Sequence, residues 1–152
     1  MVENVRMNRW KNVRTFQFAI SDREGETMLN IPKMGQRGAT FANRDNIAER
    51  IRVRTLPLDS FPELKRADVI KIDVEGAEVK VLRGMERIME RGKAKIICEV
   101  HPKQIACLGD NIAEIMDILN NYEYKTYLIR ENGRVTEATI SNERAHYLFR
   151  KG

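Results

Sequence analysis

The chain has 152 residues, with 27 Lys and Arg against 22 Asp and Glu, a net charge of +5 and a hydrophobic fraction of 42%. This length suits one domain with a sizeable core, so residues 1–152 are predicted to form a single domain. No apolar run approaches the roughly 20 residues that cross a bilayer, and the first residues lack an apolar signal segment. A membrane protein is therefore excluded, and the cytoplasm is expected.

Hydrophobic periodicity in the first part of the chain predicts short strands and little helix. In chain order the pattern indicates a helical fragment at 2–10, strands at 13–20 and 27–31, a mobile loop at 33–46, and a strand at 50–56. In the strand at 50–56, Ile51, Val53 and Thr55 alternate with three arginines, so one face should be exposed to solvent.

The second part of the chain alternates strands with helices. The pattern predicts a helical turn within 58–67, a strand at 68–74, a helix at 77–91, a strand at 94–100, a loop at 101–109, a helix that begins at Asp110 and ends at Asn121, and strands at 124–130 and 145–150. This order favours an α/β layer fold with a mostly parallel sheet.

Polar residues stand at the carboxyl ends of two predicted strands. Asp73 lies near the end of the strand at 68–74 and Glu75 follows it, and Glu99 lies near the end of the strand at 94–100 and His101 follows it. Ligands gather at the carboxyl ends of strands in open α/β sheets. If the two strands are neighbours, these four side chains converge, and their burial must be compensated by partners or by a ligand.

Two interpretations of this cluster stay open. In the first it is a satisfied interior network, and that interpretation is favoured for Lys71, which would neutralise Asp73 or Glu99, and for Glu78, which would cap the following helix. In the second, His101 is a general base for an acceptor hydroxyl and Asp73 orients the acceptor or a cofactor. No helix-spaced ligand motif is present, so no metal is expected.

Other candidate residues receive structural interpretations. Gly84 is predicted to allow close packing of its helix against the sheet, and Gly76 permits either a sharp turn or close approach to a ligand. His146 is interpreted as a core or edge histidine. The two cysteines, Cys98 and Cys107, lack the spacing of a redox or zinc site and are expected to be reduced thiols.

Three segments carry a resemblance to a known family. They are IKIDVEGAEVKVLRG at 70–84, IICEVHP at 96–102 and NVRTFQFAISDREGE at 12–26. The first of them is similar to the K-I-D-x-E-G-x-E signature of the FkbM methyltransferases, and the other two resemble that family's fifth strand and its third strand with the adenine-side loop. The resemblance covers nearly the whole chain.

The resemblance implies a Rossmann-like class I methyltransferase fold and an S-adenosylmethionine cofactor. It places Asp73 and Glu75 beside the transfer site, Ser21 and Asp22 near the adenine, and His101 near the acceptor. Asp73 would also contact the cofactor. The substrate class implied is hydroxyl groups on sugars, lipids or small natural products, so the reaction implied is O-methylation.

The chain departs from the family pattern because no glycine-rich cofactor turn precedes Met1. An N-terminally truncated fold is therefore expected, with an exposed sheet edge that favours homo-oligomers. The alternative to a methyltransferase is an inactive remnant that acts as an oligomerising or binding module. Nucleic-acid binding is disfavoured, because the basic excess is mild and the Gly35–Gly38 loop lacks the context of an RNA-binding GxxG.

Overall fold

The computed structural model describes residues 2–33 and 47–152. The predicted mobile loop at 33–46 lies outside the described residues except for Lys33, so that prediction stays a prediction. The helices are α1 Val2–Met7, α2 Glu78–Arg83, α3 Glu86–Arg91, α4 Pro102–Cys107 and α5 Ile112–Asn121, with 3-10 turns at Leu58–Ser60 and Pro62–Arg66. The strands are β1 Ala19–Ile20, β2 Gly25–Pro32, β3 Ile47–Leu56, β4 Val69–Ile72, β5 Lys95–Val100, β6 Tyr124–Ile129, β7 Val135–Glu137 and β8 Ala145–Lys151.

The first three strands form a small sheet in the order β1-β3-β2. β3 pairs parallel with β1 and antiparallel with β2. Of the strand predicted at 13–20, only Ala19 and Ile20 join the sheet. The ring of Phe18 instead stacks on Phe61 with centroids 5.2 Å apart, so aromatic residues that suggested a strand serve a side-chain cluster.

The other five strands form a second sheet in the order β4-β5-β8-β6-β7. Only β4 and β5 pair in parallel, and the remaining pairs are antiparallel. The prediction of a mostly parallel sheet is therefore wrong, although the α/β class is confirmed. The reason is that β6 and β8 are joined through the short strand β7, without the helical crossover that parallel neighbours require.

One face of this sheet packs against the helices and forms the core. The fully buried side chains Leu82 and Met89 from α2 and α3 meet Ile96 of β5, Leu119 of α5 and Phe149 of β8. On the opposite face, residues such as Lys71 and Arg150 are exposed. The alternation predicted for β4 and β5 thus decides which side chains enter the core.

The helix predicted at 77–91 is interrupted at Gly84 and Met85, which separate α2 from α3. A Cβ at Gly84 would lie 2.0 Å from the carbonyl oxygen of Ser21 and 3.2 Å from Pro57 Cα. The predicted close approach at Gly84 is confirmed, and it packs α2 directly onto the end of β1. The apolar pattern did not show the break, because Met85 and Met89 continue the same helical spacing.

Two elements were missed by the sequence patterns, and the start of one predicted helix shifts. α4 occupies most of the predicted loop at 101–109 and begins with Pro102 in its first turn, a position that proline favours. β7 was not predicted because all three of its residues are exposed. The N-cap of α5 is Asn111, one residue after the predicted Asp110, and it forms a capping box with Glu114.

One edge of the larger sheet is β4, which pairs with β5 alone among the described residues, and the other edge is β7. Val69 on this strand is 56% exposed. An unpaired apolar edge is a surface on which other chains pair, so the expected homo-oligomer stays a prediction with a physical basis. No helix in the described part of the chain has the length and apolar character needed to cross a membrane.

Candidate active site at the carboxyl ends of the parallel strands

The polar side chains predicted to converge do so because β4 and β5 are parallel neighbours. Ile70 pairs with Ile96 and Ile72 with Cys98, so both strands end at the same edge of the sheet. Four carboxylates gather at that edge, and we call them the acidic cluster: Asp73, Glu75, Glu78 and Glu99. His101 lies among them, and its side chain has no solvent exposure.

Glu78 and His101 form a fully buried pair. His101 Nδ1 lies 2.7 Å from Glu78 Oε1, and both side chains are completely inaccessible to solvent. The same oxygen accepts a hydrogen bond of 3.1 Å from the Gly76 amide. A carboxylate only accepts hydrogen bonds, so His101 donates its Nδ1 proton to Glu78. The interpretation of Glu78 as a simple helix cap is therefore incomplete.

The second ring nitrogen of His101 faces the acidic cluster without a hydrogen bond. Nε2 makes none with the described residues and lies 3.7 Å from Glu99 Oε1 and 3.8 Å from Glu75 Oε1. Burial lowers the pKa of His101, but the hydrogen bond and charge of Glu78, with the charges of Glu75 and Glu99, outweigh it and raise the pKa above the ordinary 6.5. His101 is therefore built to take up a proton.

Glu75 sits in a strained turn between β4 and α2. Its φ is 51°, in the left-handed region that residues with a side chain rarely adopt, and Gly76 follows with φ 114°. A Cβ on Gly76 would lie 2.6 Å from Gln104 Cβ and within 3 Å of the Gln104 backbone. The turn thus needs glycine, and it directs the Glu75 carboxylate, 19% exposed, towards the cluster. Backbone strain of this kind concentrates at functional sites.

Glu99 is held by two residues of β8 and the segment before it. Arg144 donates to Glu99 Oε1 through Nε at 2.5 Å and also contacts that oxygen through Nη2, while His146 Nε2 lies 3.3 Å from Oε2. Arg144 was not predicted as a site residue, and His146 was interpreted as a core or edge histidine. The antiparallel pairing of Glu99 with His146 brings both to the site, and no local pattern in the sequence reveals that pairing.

Asp73 lies at the solvent side of the cluster and pairs with Lys71, as the network interpretation predicted. Lys71 Nζ donates to Asp73 Oδ2 at 2.8 Å, and this hydrogen bond lowers the pKa of Asp73 below its ordinary value. Asp73, Glu99 and His101 each offer one atom that could bind a metal ion, and these atoms lie within 4.8 Å of one another. Lys71 and Arg144 already neutralise the two carboxylates, which disfavours a metal ion there, and the expectation of no metal stays a prediction.

The other two predicted cofactor residues lie at the end of β1. Ser21 Oγ donates to Asp22 Oδ1 at 2.9 Å, and the Ser21 amide donates to Leu56 at 3.0 Å. Neither residue bonds to the acidic cluster within the described chain. A cavity of about 100 Å³ is lined by Ser21 together with Ala77 and Lys80 of the α2 region. The structure therefore brings Asp73, Glu75 and His101 together but leaves Ser21 and Asp22 separate from them.

The buried polar cluster lies at the carboxyl ends of two parallel strands of an α/β domain, which is the edge where open α/β sheets bind their ligands. The chain belongs to the FkbM methyltransferase family, because the model of the Methyltransferase FkbM domain matches residues 3–126. The resemblance inferred from the three sequence segments is thereby confirmed. A comparison with curated proteins finds no match.

A solved structure shows the same fold. It is the crystal structure of methyltransferase FkbM from Methylobacillus flagellatus KT, with a TM-score of 0.54 and 14% sequence identity. The similarity covers 97% of this chain and 32% of that chain. This chain therefore spans about a third of the length of the solved structure that it resembles.

Proposed function

We propose that this chain is part of an S-adenosylmethionine-dependent O-methyltransferase that acts on a hydroxyl group of a small molecule, a sugar or a lipid. The observation that carries the proposal is the buried Glu78–His101 pair, whose free Nε2 faces the acidic cluster at the family signature. Family membership supports methyl transfer, and the residues of the site support the detailed roles below.

The charge of the cluster suits a cationic cofactor. Four carboxylates gather here, and within the described chain the permanently cationic groups in contact with them are Lys71 and Arg144. A sulfonium group and an ammonium group, both present in S-adenosylmethionine, carry the positive charge that such a carboxylate-rich edge attracts. Asp73, 39% exposed, is the cluster member best placed to meet such a ligand.

His101 is proposed as the general base. When bound, the cofactor would supply an electrophilic methyl group for transfer to the acceptor oxygen, with the neutral thioether as the leaving group. The acceptor must lose its hydroxyl proton in this step. Because His101 Nε2 is fully buried, it takes that proton through Glu75, whose Oε1 lies 3.8 Å away and whose side chain is partly exposed, while Glu78 holds the ring by its Nδ1 proton. General bases of this kind contribute about 10²- to 10⁴-fold to rates.

Ser21 and Asp22 are proposed to contact the adenine, as the resemblance implies. The cavity that joins Ser21 to Ala77 supports a path from β1 to the turn after β4. Its volume of about 100 Å³ is below the ~300 Å³ of common small-molecule pockets. An adenine there therefore requires Lys80 or Leu108, which also line the cavity, to move aside.

Calorimetric titration with S-adenosylmethionine and its neutral product S-adenosylhomocysteine tests the proposal. We expect Asp73→Ala to weaken S-adenosylmethionine binding by about tenfold, equal to ~1.4 kcal/mol, and to affect the product less because the sulfonium charge is gone. Asp68→Ala is the matched control, since Asp68 is exposed at the opposite end of the same strand. Equal effects of the two substitutions would contradict the assigned role of Asp73.

Absence of cofactor binding at millimolar concentration would instead favour the inactive binding module. If the cofactor binds, a panel of hydroxylated acceptors with a radiolabelled methyl group tests transfer. His101→Gln should then lower the rate by at least about 10²-fold and leave cofactor affinity nearly unchanged. A loss of affinity as large as the loss of rate would show that His101 serves binding and not proton removal.

A further inference from the structure

A second cavity opens beside the acidic cluster, at the same edge of the sheet. It has a volume of about 530 Å³ and lies between the end of β6, the turn that follows it and the start of β8. Its volume falls within the range of roughly 300–1,000 Å³ that small-molecule sites occupy. Two of its lining residues, Arg144 and His146, also contact Glu99, so the cavity shares a wall with the site.

Basic side chains predominate in the lining of this cavity, whereas the acidic cluster consists of carboxylates. Arg130 and Arg144 line it with His146, and Glu131 is the one carboxylate among its lining residues. Arg130 makes no ion pair with the described part of the chain, whereas Arg144 contacts Glu99 through Nε and Nη2. Guanidinium groups bind carboxylates and phosphates by charge-assisted hydrogen bonds.

We propose that this cavity is the acceptor site and that it selects a hydroxylated small molecule bearing an anionic group, with that group on Arg130 and the reacting hydroxyl towards Glu99 and His101. This proposal rests on the proposed function, because the cavity is an acceptor site only if the chain takes part in methyl transfer. Leu128 and Ala145 supply apolar wall for the body of the molecule. Placing the anion at Arg130 keeps it away from the four carboxylates, which would repel it.

The experiment is a titration of the ¹⁵N-labelled chain, without cofactor, with glucuronate, glucose 6-phosphate and glucose. These probes share a sugar ring and differ in carrying a carboxylate, a phosphate or no charge. At least one anionic probe should shift the amides of Arg130 and Ala145 saturably, at least about tenfold more tightly than glucose. The comparison of glucuronate with glucose 6-phosphate tells which anion the cavity takes.

Arg130→Gln should remove that tenfold preference, because it keeps hydrogen-bond donors but loses the charge. Arg134→Gln is the matched control: Arg134 is exposed in the same turn and does not line the cavity. The proposal is overturned if neither anionic probe binds more tightly than glucose, or if the two substitutions have equal effects. Because this titration requires neither the cofactor nor methyl transfer, failure of methyl transfer and failure of this site are separately visible.

Discussion

Replacing Glu78 by Gln tests the buried pair that underlies the proposed base. Glutamine keeps an oxygen that accepts from the Gly76 amide and from His101 Nδ1, the contacts now at 3.1 and 2.7 Å. What the substitution removes is the charge. A hydrogen bond to a charged group is worth about 1.5–3 kcal/mol, and a neutral one about 1 kcal/mol. We therefore expect the free energy of unfolding to fall by about 1–2 kcal/mol.

Glu78→Ala should cost more, because it leaves the Gly76 amide and His101 Nδ1 buried without partners. Removing one member of a buried charged pair costs about 3–5 kcal/mol. Glu26→Gln is the control, since Glu26 pairs with Arg52 at 3.4 Å on the surface and such pairs contribute about 0–1 kcal/mol.

Urea denaturation measures the stabilities, and ¹⁵N chemical shifts of the His101 ring report its protonation directly. In Glu78→Gln the pKa of His101 should fall, because burial still lowers it while the largest opposing influence has lost its charge. The reasoning is refuted if Glu78→Gln behaves like Glu26→Gln in stability and the pKa of His101 does not move. A change in stability alone, with an unchanged pKa of His101, would mean that Glu78 stabilises the turn at Gly76 and does not control the protonation of the histidine.

Three further outcomes follow from the same structure. Gly76→Ala should lower the free energy of unfolding by more than about 2 kcal/mol, and Gly109→Ala should lower it by about 1 kcal/mol. Both glycines have a positive φ, but only Gly76 is crowded by neighbouring atoms. Equal losses in urea titrations would argue against crowding. Because folding raises the pKa of His101 above 6.5, its contribution to stability is full below that pH and disappears as the pH rises through the folded pKa, so this part of the pH profile should vanish in His101→Gln. Thiol labelling of the native chain should modify exposed Cys107 and spare Cys98, which is buried and whose pKa burial raises well above its ordinary value; rapid labelling of both would contradict that burial.

The parts of the fold that the sequence could predict are those with a strong local period. The alternation of Ile70 and Ile72 with polar neighbours placed β4, and the same pattern placed β5, so their convergence at one edge was foreseeable. The break at Gly84 was not, because it depends on contact with Ser21, a residue 63 positions earlier in the chain. Long-range contacts of this kind leave no periodic trace.

Some residues of the candidate site have a local signal in the sequence, and others are placed only by long-range strand pairing. Asp73, Glu75 and His101 stand out because charged residues interrupt apolar strands, which is a local signal. Arg144 and His146 reach Glu99 only through the antiparallel pairing of β5 with β8. A mostly parallel sheet was predicted, and in such a sheet that pairing would not exist. The error in topology and the missed arginine therefore have a single cause.

The cost of the site favours a functional over a structural interpretation. Buried charge networks stabilise a fold less than well-packed apolar side chains of the same volume, and this one also holds Glu75 at a positive φ. A purely structural network would satisfy its members, yet Glu78 Oε2 and His101 Nε2 make no hydrogen bond within the described chain. Backbone strain and unsatisfied buried polar atoms at one strand edge are therefore better explained by a ligand site than by a purely structural network.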